Sequence, residues 1–202
     1  MEKCQVCQVE NATEIVKIAG QEYHLCGFDA LKADRFIHSM IHHEVINISW
    51  GCGRIDYGSW CNIRDALRKY NIKEVLELGF GLSTELFVNE GIRVTGFDVH
   101  PTHVKVTQEL NPIKSMSTLH HYQEVQITDD MPATGFVRAI YPGRKWDFVF
   151  VDGPHVRKNE VKEAMEVSNR FIYLHDPNLG EETFFPNAQW KAIDYKLYER
   201  VV

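Results

Sequence analysis

The chain has 202 residues, 44% of them hydrophobic and 25% charged. That composition excludes wholesale disorder, and the length suits one domain of about 150 residues with a small appendage. Lys and Arg total 22 against 28 Asp and Glu, a net charge of −6, which argues against a protein held to nucleic acid by a broad basic surface.

At the amino terminus, MEKCQVCQVE carries no hydrophobic segment of the kind a secretory signal needs, and no apolar run in the chain approaches the roughly 20 residues of a membrane span. A cytoplasmic enzyme is the expectation. Three of the five cysteines, Cys4, Cys7 and Cys26, fall in the first 26 residues. Without an export signal, such clustering points to metal binding before disulfides. Cys4-x-x-Cys7 makes one knuckle able to offer two thiolates to a tetrahedral Zn²⁺, and Cys26-Gly-Phe-Asp29 opens the next helix. This looks like a treble-clef or ribbon zinc module. Asp29 takes the fourth place as a ligand, or is a plain helix N-cap with His24 as the ligand instead. Three buried, reduced thiols are the metal-free alternative. Between the cysteines, TEIVKIAGQEYHL alternates apolar and polar residues around Gly20 and predicts a hairpin. Residues 1–33 thus form a zinc-binding module, and 34–59 a helix and a glycine-containing linker. Cys52 and Cys61 read as structural.

Residues 60–202 alternate strands and helices. A helix through NIRDALRKY leads to the strand VLELG at 75–79, a short helix follows Thr84, and RVTGFDV forms the second strand. Pro101 opens a helix, HYQEVQIT is the best candidate for the third strand, and a helix follows Pro132. WDFVFVD at 146–152, the helix EVKEAMEVSN, the strand RFIYLHD at 170–176 and at least one strand in the tail complete the pattern. Strands apolar on both faces and separated by helices predict an α/β fold, a doubly wound, mostly parallel sheet.

The first strand ends in Glu77-Leu-Gly79-Phe-Gly81-Leu-Ser83-Thr84. Two glycines allow a tight turn, Ser83 or Thr84 can cap the next helix, and backbone N–H groups then face the strand ends. Nineteen residues after Gly79, Asp98 ends the second strand, where a carboxylate can accept both ribose hydroxyls. Such a site serves either a nicotinamide cofactor or S-adenosylmethionine. The third glycine of the dinucleotide fingerprint is missing, Thr84 standing in its place, and Glu77 precedes the first glycine by two residues. The segment ELGFGLST resembles motif I of class I S-adenosylmethionine-dependent methyltransferases. Together with GFDVH, WDFVFVDGPH and FIYLHD the resemblance spans roughly residues 60–176, and VLELGFGLST with VDGPH is similar to the small-molecule members of that family. It implies a Rossmann-like methyltransferase domain over 60–202. Glu77, Gly79, Gly81 and Ser83 would line the methionine end of the cofactor, Asp98 would hold the ribose, and Asp129 or Asp130 would contact adenine. The last two are equally readable as solvated caps before Pro132.

At the ends of the fourth and fifth strands stand Asp152 and His155, then His175 and Asp176. They are the candidate catalytic groups, bases and orienting partners for a methyl acceptor, since histidine titrates near working pH. The plain alternative is that the aspartates cap turns and the histidines bond to backbone. Some O-methyltransferases hold Mg²⁺ at these strand ends; Asp152, Asp176 and Asn178 mimic that oxygen set, but Pro177 separates two residues that are adjacent there. Pro-Cys and Asn/Asp-Pro-Pro-aromatic motifs of DNA methyltransferases are missing. A small-molecule acceptor is expected, with protein or RNA left open. Two rivals stand beside this reading: a non-catalytic protein that recruits partners through its zinc module, and a nicotinamide oxidoreductase, which Thr84 and Glu77 disfavour.

Overall fold

The computed structural model describes residues 14–18, 21–25, 55, 57–101, 104, 107–108, 114–123, 125, 127–128, 130–153, 158–175, 185, 189–194 and 196–201. The chain divides into two compact units, Met1–Lys69 and Tyr70–Val202.

In the first unit, β1 (Glu14–Ile18) and β2 (Gln21–Leu25) pair antiparallel, with Glu14 opposite Leu25 and Ile18 opposite Gln21. This is the expected hairpin, favoured by the β-branched Ile15, Val16 and Ile18 of β1. Helix α1 (Tyr57–Lys69) starts before the expected NIRDALRKY segment, inside the stretch read as linker. Trp60, Cys61, Ile63 and Leu67 are buried at helical spacing, and Arg68 with Lys69 suits the negative end of the helix dipole. The expected zinc ligands Cys4, Cys7, Cys26 and Asp29 lie outside the described residues, as does the His24 side chain.

Among the described residues of the second unit seven strands form one sheet: β3 (Glu74–Leu78), β4 (Arg93–Asp98), β5 (Ser117–His121), β6 (Trp146–Val151), β7 (Ser168–Leu174), β8 (Trp190–Ala192) and β9 (Leu197–Arg200). Their order is β5-β4-β3-β6-β7-β9-β8. All the pairings through β7 are parallel, and β9 runs antiparallel to both β7 and β8. The α/β, doubly wound expectation holds. The third strand lies earlier than HYQEVQIT: only Leu119 of β5 is buried, so its apolar signal is weak and the strand is fixed by pairing with β4. Ser168 and Asn169, expected in the preceding helix, begin β7.

Helices α2 (Leu82–Asn89), α3 (Phe136–Ile140) and α4 (Lys158–Val167) connect the strands. The path β3–α2–β4 and the path β6–α4–β7 run in opposite directions along the sheet. Right-handed crossovers therefore put α2 and α4 on opposite faces. Side chains divide accordingly. Leu76, Leu78, Val149, Val151, Ile172 and Leu174 share a core with Val137 of α3 and with Val161, Ala164 and Val167 of α4. Their neighbours along the strands, Glu77 and Phe150 among them, face the other way, where Phe87 of α2 meets Phe150 edge-on with ring centroids 5.5 Å apart.

Candidate active site

The strand order reverses between β3 and β6, so the crevice of this sheet opens beyond their carboxyl ends. There the ends of neighbouring strands come into close backbone contact. Asp152 N donates to Leu78 O at 2.8 Å, and Gly79 N donates to Phe97 O at 2.7 Å. Gly79 has φ +80°, and a Cβ on it would lie 2.4 Å from the Asp152 carbonyl oxygen. Both facts demand glycine at this position. Gly81 is the N-cap of α2, with no side-chain cap bond. The expected capping by Ser83 or Thr84 is corrected: both lie inside the helix, and the Thr84 hydroxyl is used elsewhere.

Thr84 Oγ1 donates to Glu77 Oε2 at 2.6 Å. Glu77 has no exposure to solvent, and its Oε1 finds no hydrogen-bond partner among the described residues. Burial pushes its carboxyl up to about 8 from 4.5; Ser83 and Thr84 oppose the rise, and the charges of Asp152 and Asp98 add to it. The role of Thr84 went unread in the sequence. A hydroxyl at the place of the third glycine, seven residues after a buried acid, is the signal that marks it.

Asp98 ends β4, buried beside the turn. Its Oδ2 accepts from Phe80 N at 3.3 Å and its Oδ1 from His100 N at 2.7 Å, so the carboxylate is locked in place by backbone. The Phe80 ring lies against Gly96, where any Cβ would sit 2.8 Å from Phe80 Cδ1. Tyr122 donates its backbone N–H to Asp98 O at 3.0 Å, stacks on Phe136 with centroids 4.0 Å apart and hydrogen-bonds Glu160. Tyr122, which the sequence pattern did not single out, thus ties the end of β5 to β4 and to both α3 and α4.

At the end of β6, Asp152 Oδ1 lies 2.9 Å from His175 Nδ1, across from the end of β7. The His175 ring is buried, whereas the Asp152 side chain keeps 15% exposure. The structure thus brings together Glu77, Gly79, Gly81, Ser83, Asp98, Asp152 and His175. Asp130 lies on an exposed turn, where its carboxylate accepts a hydrogen bond from Thr128. That bond and nearby Lys162 hold the Asp130 carboxyl below its usual value. Asp129, His155, Asp176 and Asn178 lie outside the described residues. Among the described residues no group of three or more metal-ligating side chains occurs, and no helix is long and apolar enough to cross a membrane.

No family model matches the chain, and no curated protein matches it either. Solved structures do. A Staphylococcus aureus protein described as a caffeoyl-CoA O-methyltransferase is similar over 86% of this chain and 99% of its own, at 12% identity and a TM-score of 0.60. Cofactor-bound Rv0187 from MTB is similar over 78% of this chain and 67% of its own, at 14% identity and a TM-score of 0.51. At such identities the likeness is one of fold. The described sheet and helices of Tyr70–Val202 have the Rossmann-like architecture found in methyltransferases.

Proposed function

We propose that the chain is a class I S-adenosylmethionine-dependent methyltransferase acting on oxygen or nitrogen of a small molecule. The observation that carries this reading is the Asp98 carboxylate, locked by Phe80 N and His100 N beside a turn that only glycine fits. An acceptor fixed at the end of the second strand suits a ribose, and in folds of this kind a ligand binds beyond such a turn, at the N-terminus of the helix that follows. Gly79, Gly81 and Ser83 border the methionine end with Glu77 beneath them, and Asp129 or Asp130 serves adenine.

S-adenosylmethionine supplies a methyl group on a sulfonium, open to in-line displacement. The chain's own task is to align the acceptor and, where it is an alcohol or amine, to take its proton. Asp152 is the group turned toward the crevice; His175, buried behind it, is a positioning residue that fixes the carboxylate. His155 and Asp176, close to them in sequence, are the further candidate bases.

For the first unit we propose one Zn²⁺ held by Cys4, Cys7, Cys26 and Asp29. The order of residues along the chain supports it: a Cys4-x-x-Cys7 pair, the β1–β2 hairpin, then Cys26 directly after β2 in sequence. Parallel calorimetric titrations with S-adenosylmethionine, S-adenosylhomocysteine and NAD test the enzyme reading. Binding of the first two alone is expected. Binding of NAD alone turns the site into that of an oxidoreductase.

A further inference from the structure

We propose that the crevice exchanges a proton for its cationic ligand: Glu77 is a neutral acid when the crevice is empty and a carboxylate when a cation sits over the glycine turn. This rests on the cofactor reading above and adds a proton to its binding equilibrium.

The geometry argues for the neutral form first. Glu77 lies on β3 between β4, which ends in Asp98, and β6, which Asp152 follows. Its side chain is sealed from solvent, with one oxygen bonded to Thr84 and the other without a partner among the described residues. A buried carboxylate needs donors at both oxygens, whereas a neutral acid leaves a smaller debt. The charged groups acting on Glu77 are Asp98 from β4 and Asp152 from β6, both negative; α2 contributes the uncharged hydroxyls of Ser83 and Thr84. From β7, His175 engages Asp152. Every charge acting on Glu77 therefore disfavours its ionisation, in agreement with a carboxyl pushed up to about 8.

A cation arriving beyond Gly79 reverses that balance. It meets Asp98 and Asp152 at the strand ends, offsets their repulsion of Glu77, and attracts the ionised form directly through a medium of low dielectric. The O–H bond of Glu77 breaks, its proton passes to the solvent buffer, and the carboxylate stays beneath the ligand. S-adenosylmethionine carries two cationic groups, an ammonium and a sulfonium; S-adenosylhomocysteine carries the ammonium alone.

The test is calorimetry of both compounds at pH 6.5 in two buffers of different ionisation enthalpy, which counts protons released. At that pH an acid titrating near 8 is almost wholly protonated. A fall of about two units on binding then releases more than half a proton per ligand. Equal release by both ligands assigns the effect to the ammonium; release with S-adenosylmethionine alone assigns it to the sulfonium. Glu77→Gln, close in shape to the neutral acid, is expected to bind at least tenfold more weakly and to release no proton. An enthalpy independent of buffer for the wild-type chain overturns the exchange while leaving cofactor binding intact, and so does equal release from Glu77→Gln. Should neither compound bind at all, the cofactor reading itself falls.

Discussion

His175 holds Asp152 from behind: its Nδ1 lies 2.9 Å from Asp152 Oδ1, and the ring is buried while the carboxylate keeps an open edge. An ionised carboxylate only accepts, so Nδ1 carries the proton of this bond. Asp152 is thereby set in one orientation at the end of β6, where the proposed function puts the acceptor. We expect Asp152→Asn to slow methyl transfer about 10²–10⁴-fold, the range for a positioned acid–base group. His175→Leu should slow it too, with S-adenosylhomocysteine affinity changed less than about threefold. His175→Asn, which keeps a donor near Nδ1, should recover much of the loss. If His175→Leu turns over as fast as wild type, the positioning role is wrong.

Asp98→Asn separates charge from shape at the ribose position. The amide oxygen can still accept from one of the two backbone N–H groups while the amide nitrogen faces the other, and the charge-assisted bond to a ligand hydroxyl is lost. Such bonds contribute roughly 1.5–3 kcal/mol, so affinity for S-adenosylhomocysteine should fall at least about tenfold. An unchanged dissociation constant removes Asp98 from the site.

Glu77 makes stability depend on pH in an unusual sense. Its carboxyl is raised in the folded chain, to about 8 from 4.5, so between these values the native state binds a proton that the unfolded state has lost. Stability is fullest below the unfolded value and declines as pH rises to the folded one, at up to roughly 1.4 kcal/mol per pH unit. Glu77→Gln has no such slope. Urea unfolding at pH 5 and pH 8.5 should show the variant gaining on the wild type as pH rises. A constant difference between the two would place Glu77 in the ordinary carboxylate range.

Two glycines of equal backbone strain separate conformation from contact. Gly79 and Gly91 have φ +80° and +77°, yet a Cβ at Gly91 meets nothing within 4 Å. Gly91→Ala should cost only the strain, about 1–2 kcal/mol. Gly79→Ala adds a clash with the Asp152 backbone, worth a further ~1–3 kcal/mol by the usual cost of overpacking. It should also abolish cofactor binding. Equal denaturation midpoints for the two variants would refute the close approach.

Zinc content tests the first unit. Four tetrahedral positions make one site, so the purified protein should carry about one Zn²⁺ per chain. Cys4→Ser and Cys26→Ser should each lose it, and residues 1–33 should lose structure with the metal, since about 30 residues bury too little to fold alone. Full zinc in both variants would exclude these thiols as ligands.

Much of this protein was legible along the chain. The doubly wound sheet follows from apolar runs such as WDFVFVD, which suit strands buried on both faces, and the turn after β3 follows from Gly79 and Gly81. Asp98 was readable because its distance from the glycines is set by one helix and one strand. Local patterns of this kind are written in consecutive residues. What depended on the third dimension lies between residues far apart in sequence. Thr84 turns away from capping because α2 packs over Glu77, and β5 takes its place by pairing with β4 although its own residues are mostly polar. Asp152 and His175 were both visible as candidates. Their division of labour was decided only when β6 and β7 came side by side, burying the ring and leaving the carboxylate at the edge. Burial and long-range partners decide ionisation, and neither is contained in the spacing of residues along a chain.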